Sequence, residues 1–258
     1  MNSEGPRAAF DGRPTARTSR ERWLVALGGV LAGLAAFGIG EATSDLIPPE
    51  PEQYNFMGEM RWTATKDSPR VRSRVAALSF GVLGACLGGS LGIAGGLARR
   101  PVSATAPATG GLLGAVVGAA LGAGTSLALV PRLLDLYFGH KDLEILTGMF
   151  SHGVIWGPLG AAAGLAFAVG LGERRLTGRA LTAGLAGAVL GTVAFDLVGA
   201  LAFPLARTDG LFSLTWPTRL MARLMVSLGT AAAIVLVLPD PPIDVVQRQS
   251  ELVGGDIA

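Results

Sequence analysis

Apolar residues gather in six long runs, separated by stretches rich in charge, Pro and Ser. The runs are Trp23 to Gly40, Val75 to Leu97, Gly110 to Val130, Gly153 to Gly172, Ala180 to Phe203 and Leu220 to Leu238. A hydrocarbon layer about 30 Å thick takes roughly 20 helical residues to cross, and each run approaches or exceeds that length. Within the runs the small residues are periodic. Gly84, Gly88, Gly92 and Gly96 stand four apart, as do Gly110, Gly114, Gly118 and Gly122. The stripe returns as Gly160, Gly164, Ala168 and Gly172, and as Gly187 and Gly191. A soluble helix gains nothing from this, since each interior Gly costs roughly 1 kcal/mol relative to Ala. In lipid, small residues four apart let two helix backbones approach closely, and that packing replaces the missing hydrophobic drive. The pattern predicts an all-α polytopic bundle of six transmembrane helices, with the glycines as its packing faces.

The runs also resemble one another in pairs. A shift of 73 residues lays Thr109 to Gly118 on Thr182 to Gly191 with seven of ten positions identical. A shift of 76 carries Gly81, Leu83, Gly84, Ala85, Gly88 and Gly96 onto Gly157, Leu159, Gly160, Ala161, Gly164 and Gly172. The first run follows the third at a shift of 82. Low complexity raises such matches by itself, but the shared offsets outside the stripes favour triplication. Two spans per unit makes the repeats parallel, related by an axis along the membrane normal.

Short connections set the orientation. Arg99, Arg100, Arg174, Arg175 and Arg179 face a single acid, Glu173, in the two shortest ones. Positive charge in short loops marks the cytoplasmic side, and the leader carries Arg7, Arg13, Arg17, Arg20 and Arg22 on that same side. The expected layout is a disordered cytoplasmic leader (1–22), the membrane domain (23–238) and a polar cytoplasmic tail (239–258). The leader followed by a first run without a small-x-small cleavage site reads as a retained signal anchor in an inner membrane. The arginines before the second run, Arg70, Arg72 and Arg74, argue the other way. Leu133 to Phe150, broken at Gly139, reads as two short amphipathic turns on the bilayer surface. Trp62 and Trp216 suit an interfacial belt, and Trp156 a packing or lumen position.

Composition narrows the classes. Half the 258 residues are hydrophobic, 16% are charged and mean hydropathy is +0.49, against about 25% charged in soluble domains. A net charge of +2 from scattered arginines, with no basic patch interleaved by aromatics, excludes a nucleic-acid partner. The single cysteine, Cys86, excludes an internal disulfide framework, and the box Leu83-Gly84-Ala85-Cys86 lies in the second run, so Cys86 is read as a packing residue. The lipid bilayer is the expected partner, together with other membrane helices or a second copy; no cofactor and no metal are expected.

Chemistry is confined to a few ionisable residues, which inside a span are costly and face the bundle interior. Asp196 lies within the fifth run, and the combined shift of 155 places Glu41 opposite it, with Ala123 in the remaining unit. Arg74, His152, Arg219 and Arg223 start the even-numbered spans on the same outward half. One reading is an outward-facing polar chamber in which these six residues bind an ion or small solute. The other is a set of ion pairs that fix helix register, such as Glu41 with Arg74 and Asp196 with Arg219 or Arg223. His152 reads as an interfacial, hydrogen-bonded histidine. No protease constellation or phosphate loop is present, so enzyme activity is not expected. The role is therefore a permeation or transport unit, with a structural or assembly subunit as the alternative and a sensor of outward loops as a third.

Overall fold

In the computed structural model, residues 17–43, 45–57, 59–65, 68–99, 103–139, 144–203 and 215–238 are described. They form six helices and one hairpin: α1 (Arg17–Thr43), β1 (Glu50–Phe56), β2 (Glu59–Thr65), α2 (Pro69–Ala98), α3 (Ala106–Gly139), α4 (Glu144–Leu171), α5 (Arg174–Ala202) and α6 (Trp216–Val237). All six helices are long and apolar enough to span a membrane. The expected spans lie inside them, except that Gly172, Phe203 and Leu238 fall one residue past the ends of α4, α5 and α6.

The helices overrun those spans. α1 begins at Arg17, so residues 17–22 of the expected leader are helical rather than disordered. Residues 1–16 and the whole expected tail lie outside the described residues. Of the predicted surface turns, residues 133–139 are instead the end of α3 and residues 144–150 the start of α4, while 140–143 lie outside the described residues. Pro131 sits inside α3 and Pro158 inside α4, so neither ends its helix. α2 starts early for a local reason: Ser68 accepts a hydrogen bond from the Val71 N–H at 3.3 Å, and Pro69 occupies the first turn, where it forfeits no intrahelical bond. Gly172, read as a stripe glycine, falls beyond α4 with φ +77° and closes the helix in the left-handed conformation that favours Gly.

The hairpin was not foreseen. β1 and β2 pair antiparallel from Glu50 opposite Thr65 to Phe56 opposite Glu59. The loop starts at Met57, whose φ of +53° matches the backbone that tight two-residue hairpin loops require.

Each odd-numbered helix packs against its own hairpin partner and one further even-numbered helix. α1 lies between α2 and α6, α3 between α2 and α4, and α5 between α4 and α6. Of the even helices, α2 and α4 pack along each other, whereas α6 only grazes them. α2 and α3 meet backbone to backbone. A Cβ on Gly84, Gly88 or Gly92 would run into the carbonyls of Gly118, Gly114 or Gly110. Gly122 meets Phe80 and Gly96 meets Pro107 in the same seam. Gly160 and Gly164 meet Gly184 and Ala180 across α4/α5, and Gly187 and Gly191 meet Gly229 and Met225 across α5/α6. Large apolar side chains left exposed include Leu27, Leu31, Leu112, Val116, Leu190 and Leu201, all on α1, α3 and α5. Two buried layers fill the interior: one around Phe80, Trp156, Leu159 and Phe195, the other around Leu87, Leu91, Phe167 and Ile234 towards the end where α1 begins.

Candidate functional site

His152, Asp196, Glu41, Arg219 and Arg223 surround the first of these layers, in the half of the bundle away from the start of α1, where buried Glu21 lies. His152 enters from α4 and Asp196 from α5, 2% and 8% exposed. The imidazole Nδ1 stands 3.0 Å from Asp196 Oδ1 and 3.2 Å from Oδ2, so the nitrogen sits astride the carboxylate. Rings enclose the pair. Phe195 meets the imidazole edge-on at 6.1 Å, Trp156 lies 5.9 Å from it, and Trp156 stacks on Phe195 at 6.4 Å. Phe80 closes the far side of Trp156 at 5.5 Å. Helical spacing produces this wall: Trp156 follows His152 by four residues, one turn along the same face of α4. The indole Nε1 of Trp156 and the hydroxyl of Ser151 are buried without a hydrogen-bond partner among the described residues. Such groups cost roughly 1–3 kcal/mol each when left dry.

A second cluster joins α1, α2 and α6. Arg219 donates from Nε to Glu41 Oε1 at 2.7 Å and from a terminal nitrogen to Oε2 at 2.8 Å. Both side chains are about one-third exposed. One turn further into α6, Arg223 is 7% exposed. It donates to the carbonyls of Ala36 at 2.7 Å and Phe37 at 3.0 Å, and to Ser79 Oγ at 3.1 Å. Its guanidinium also stands 6.0 Å from the centre of the Phe37 ring. Gly40 makes this placement possible, because a Cβ there would overlap the guanidinium itself. The electrostatic reason lies in α1, which has no basic residue in its last turn. The negative end of its dipole is balanced from outside, by two arginines of α6.

The pairings differ from those expected. Glu41 pairs with Arg219, not Arg74, and Arg74 binds Glu50 of the hairpin at 2.7 Å on an exposed surface. Asp196 pairs with His152 rather than with Arg219 or Arg223. Arg74 moves away because residues 69–74 form the first turns of α2, beside the hairpin. His152 is buried in the bundle instead of sitting at its interface. Glu41 and Asp196 are held in different seams, α1/α6 and α4/α5. Sequence reasoning missed Ser79, Gly40 and the α1 carbonyls as partners of Arg223. The spacing of Arg219 and Arg223, one helical turn apart, was the available signal that both address the same neighbour.

Among the described residues, no group of three or more His, Cys, Asp or Glu side chains could hold a metal ion. Comparison with protein-family models, with curated proteins and with solved structures finds no match for this chain. The six apolar helices make it a multi-pass integral membrane protein, and its role rests on the two clusters alone.

Proposed function

We propose that this chain is a non-catalytic permeation or transport unit for an ion or small solute, with its polar site on the outward half of the bundle. The observation that carries the reading is the buried His152–Asp196 pair, accompanied by the unpartnered Trp156 Nε1 and Ser151 Oγ. Ionisable residues inside spans mark substrate and ion pathways, and unpartnered polar groups beside them are places where water or solute would gain bonds. Cytoplasmic placement of both termini is supported by the arginine-rich short connections, and an inner-membrane location belongs to the same reading.

The repeat belongs to the same reading. Three parallel hairpins about an axis normal to the membrane are supported by each odd helix lying between two even ones. The offsets carry the Gly84–Gly118 contact onto Gly160 and Gly191, yet Gly160 meets Gly184, so this seam has slipped by two turns. Glycine stripes that engage one another inside the chain leave little for partner helices, which favours permeation over an assembly subunit. The subunit reading has one observation of its own: Arg223, Glu41, Arg219, His152 and Asp196 all have hydrogen-bond partners, as purely structural charges need.

Conductance of planar bilayers carrying the purified chain separates the two. The permeation reading expects an ionic current above that of protein-free bilayers, altered several-fold by Asp196→Asn. A silent bilayer, with the chain recovered in a stable complex with other membrane proteins, would establish the subunit reading instead.

A further inference from the structure

In the α1/α2/α6 cluster Arg219 pairs with Glu41, whereas Arg223, the deeper of the two arginines, makes no ion pair among the described residues. A guanidinium carries five N–H donors. Arg223 uses three, two on one terminal nitrogen and one on the other, which leaves its Nε–H and one further N–H unused. The α1 carbonyls offset part of the cost of holding this cation at 7% exposure, and the two spare donors are what an anion would complete.

The inward neighbours of Arg223 point the same way. Seven hydroxyl side chains are buried among the described residues: Ser73, Ser126, Ser151, Thr192, Thr218, Ser227 and Thr230. Ser73, Ser126, Thr192 and Thr218 return their proton to a backbone carbonyl three or four residues earlier, as hydroxyls in membrane helices commonly do. Ser227 and Thr230, fully buried, have no partner at all. They follow Arg223 by four and seven residues and so share its face. That face is turned inward, because α1 packs on Leu224 and Ala231 and α5 on Met225 and Gly229. It looks towards α2 and α4, which α6 only grazes.

We propose that this junction is a binding site for a small inorganic anion, with Arg223 selecting the charge and the hydroxyls of Ser227 and Thr230 forming the next steps inward. The proposal rests on the permeation reading and names its substrate class. The guanidinium attracts an anion and repels a cation, and the hydroxyls can donate to the anion once it has entered. The tight packing of Ser227 and Thr230 makes this the closed conformation, in which the two hydroxyls gain bonds only when an anion or its water passes.

The test uses the full chain in phosphatidylcholine vesicles loaded with potassium chloride, reading chloride release with an ion-selective electrode in the presence of valinomycin, and potassium release in a separate sample with a protonophore, so that each ion has a compensating path. Chloride release above that of empty vesicles is expected. Arg223→Gln should lower it roughly tenfold or more, the loss that follows from removing a charge-assisted contact. Ser227→Ala and Thr230→Val, which delete only unpartnered hydroxyls, should lower it several-fold while leaving the fold intact. If Arg223→Gln does not fold, the wild-type chain decides by its thermal unfolding in chloride against gluconate. A higher midpoint in chloride supports the site, and equal midpoints overturn it. Potassium release without chloride release would overturn the anion assignment and leave permeation standing. Release of neither ion would sink both.

Discussion

Replacing Gly88 by Ala, beside the same change at Gly89, tests whether α2 and α3 are locked through their backbones. The residues are neighbours on one helix with opposite surroundings. A Cβ on Gly88 would strike the carbonyl of Gly114, whereas one on Gly89 would stand 3.4 Å from Ala115 Cβ and 3.6 Å from the Gly111 carbonyl oxygen. The second is ordinary van der Waals contact. Relieving the first moves the helices apart by on the order of 1 Å, and a gap of that size forfeits about a quarter to a half of each dispersion contact. Overpacking of this kind costs about 1–3 kcal/mol, offset by at most about 1 kcal/mol from exchanging an interior Gly for Ala. Gly88→Ala should therefore lose about 1–2 kcal/mol, while Gly89→Ala is neutral or gains up to about 1 kcal/mol. At about 2–4 °C per kcal/mol for a chain of this size, the two midpoints diverge by several degrees in opposite directions. Thermal unfolding of the purified protein in detergent, followed by tryptophan fluorescence, measures both. Equal midpoints, or a Gly89→Ala loss larger than that of Gly88→Ala, would refute the backbone lock.

Further outcomes follow from the two polar clusters. Gly40→Ala should expel the Arg223 guanidinium from its slot; in a double-mutant cycle with Arg223→Gln, the combined loss should fall well short of the sum of the single ones. Asp196→Ala removes the carboxylate from the buried His152 imidazole and should cost about 1–3 kcal/mol, a loss that shrinks when His152→Ala is already present; unfolding of the wild type, the two single variants and the double variant reads the coupling. Glu41→Gln breaks a pair that is one-third exposed, so solvent screening holds its loss to about 1 kcal/mol or less. Arg74→Ala acts on a still more exposed pair with Glu50 and should leave the unfolding midpoint within error of wild type.

The spans were legible because a bilayer imposes both a length and a composition, and both are written locally in the chain. Their ends were not. Pro131 follows the third run directly and looks like a terminator, yet α3 continues past it, since neighbouring helices and local adjustments tolerate proline inside membrane helices. The hairpin escaped because β1 reads Glu-Pro-Glu-Gln-Tyr-Asn-Phe, with few strand-favouring residues. The one cue was Met57-Gly58 between two equal runs. Asp196, Glu41, Arg223 and His152 stood out as charges or histidine in apolar surroundings, but their partners did not. Pairing depends on which helices are neighbours and at what register, and Gly160 meeting Gly184 rather than Gly191 displaces that register by two turns. Arg223 binds α1 carbonyls, which every residue possesses, so no sequence pattern marks them.

The looseness of α6 against α2 and α4 divides the molecule mechanically. α2, α3 and α4 interlock through touching carbonyls and cannot slide past one another without separating. α6, bracketed by α1 and α5, has no such ratchet on its inner side, where it meets α2 and α4 at only a few points. If the chain is a permeation unit, any displacement of α6 would carry Arg223 with it, away from the α2 hydroxyl of Ser79.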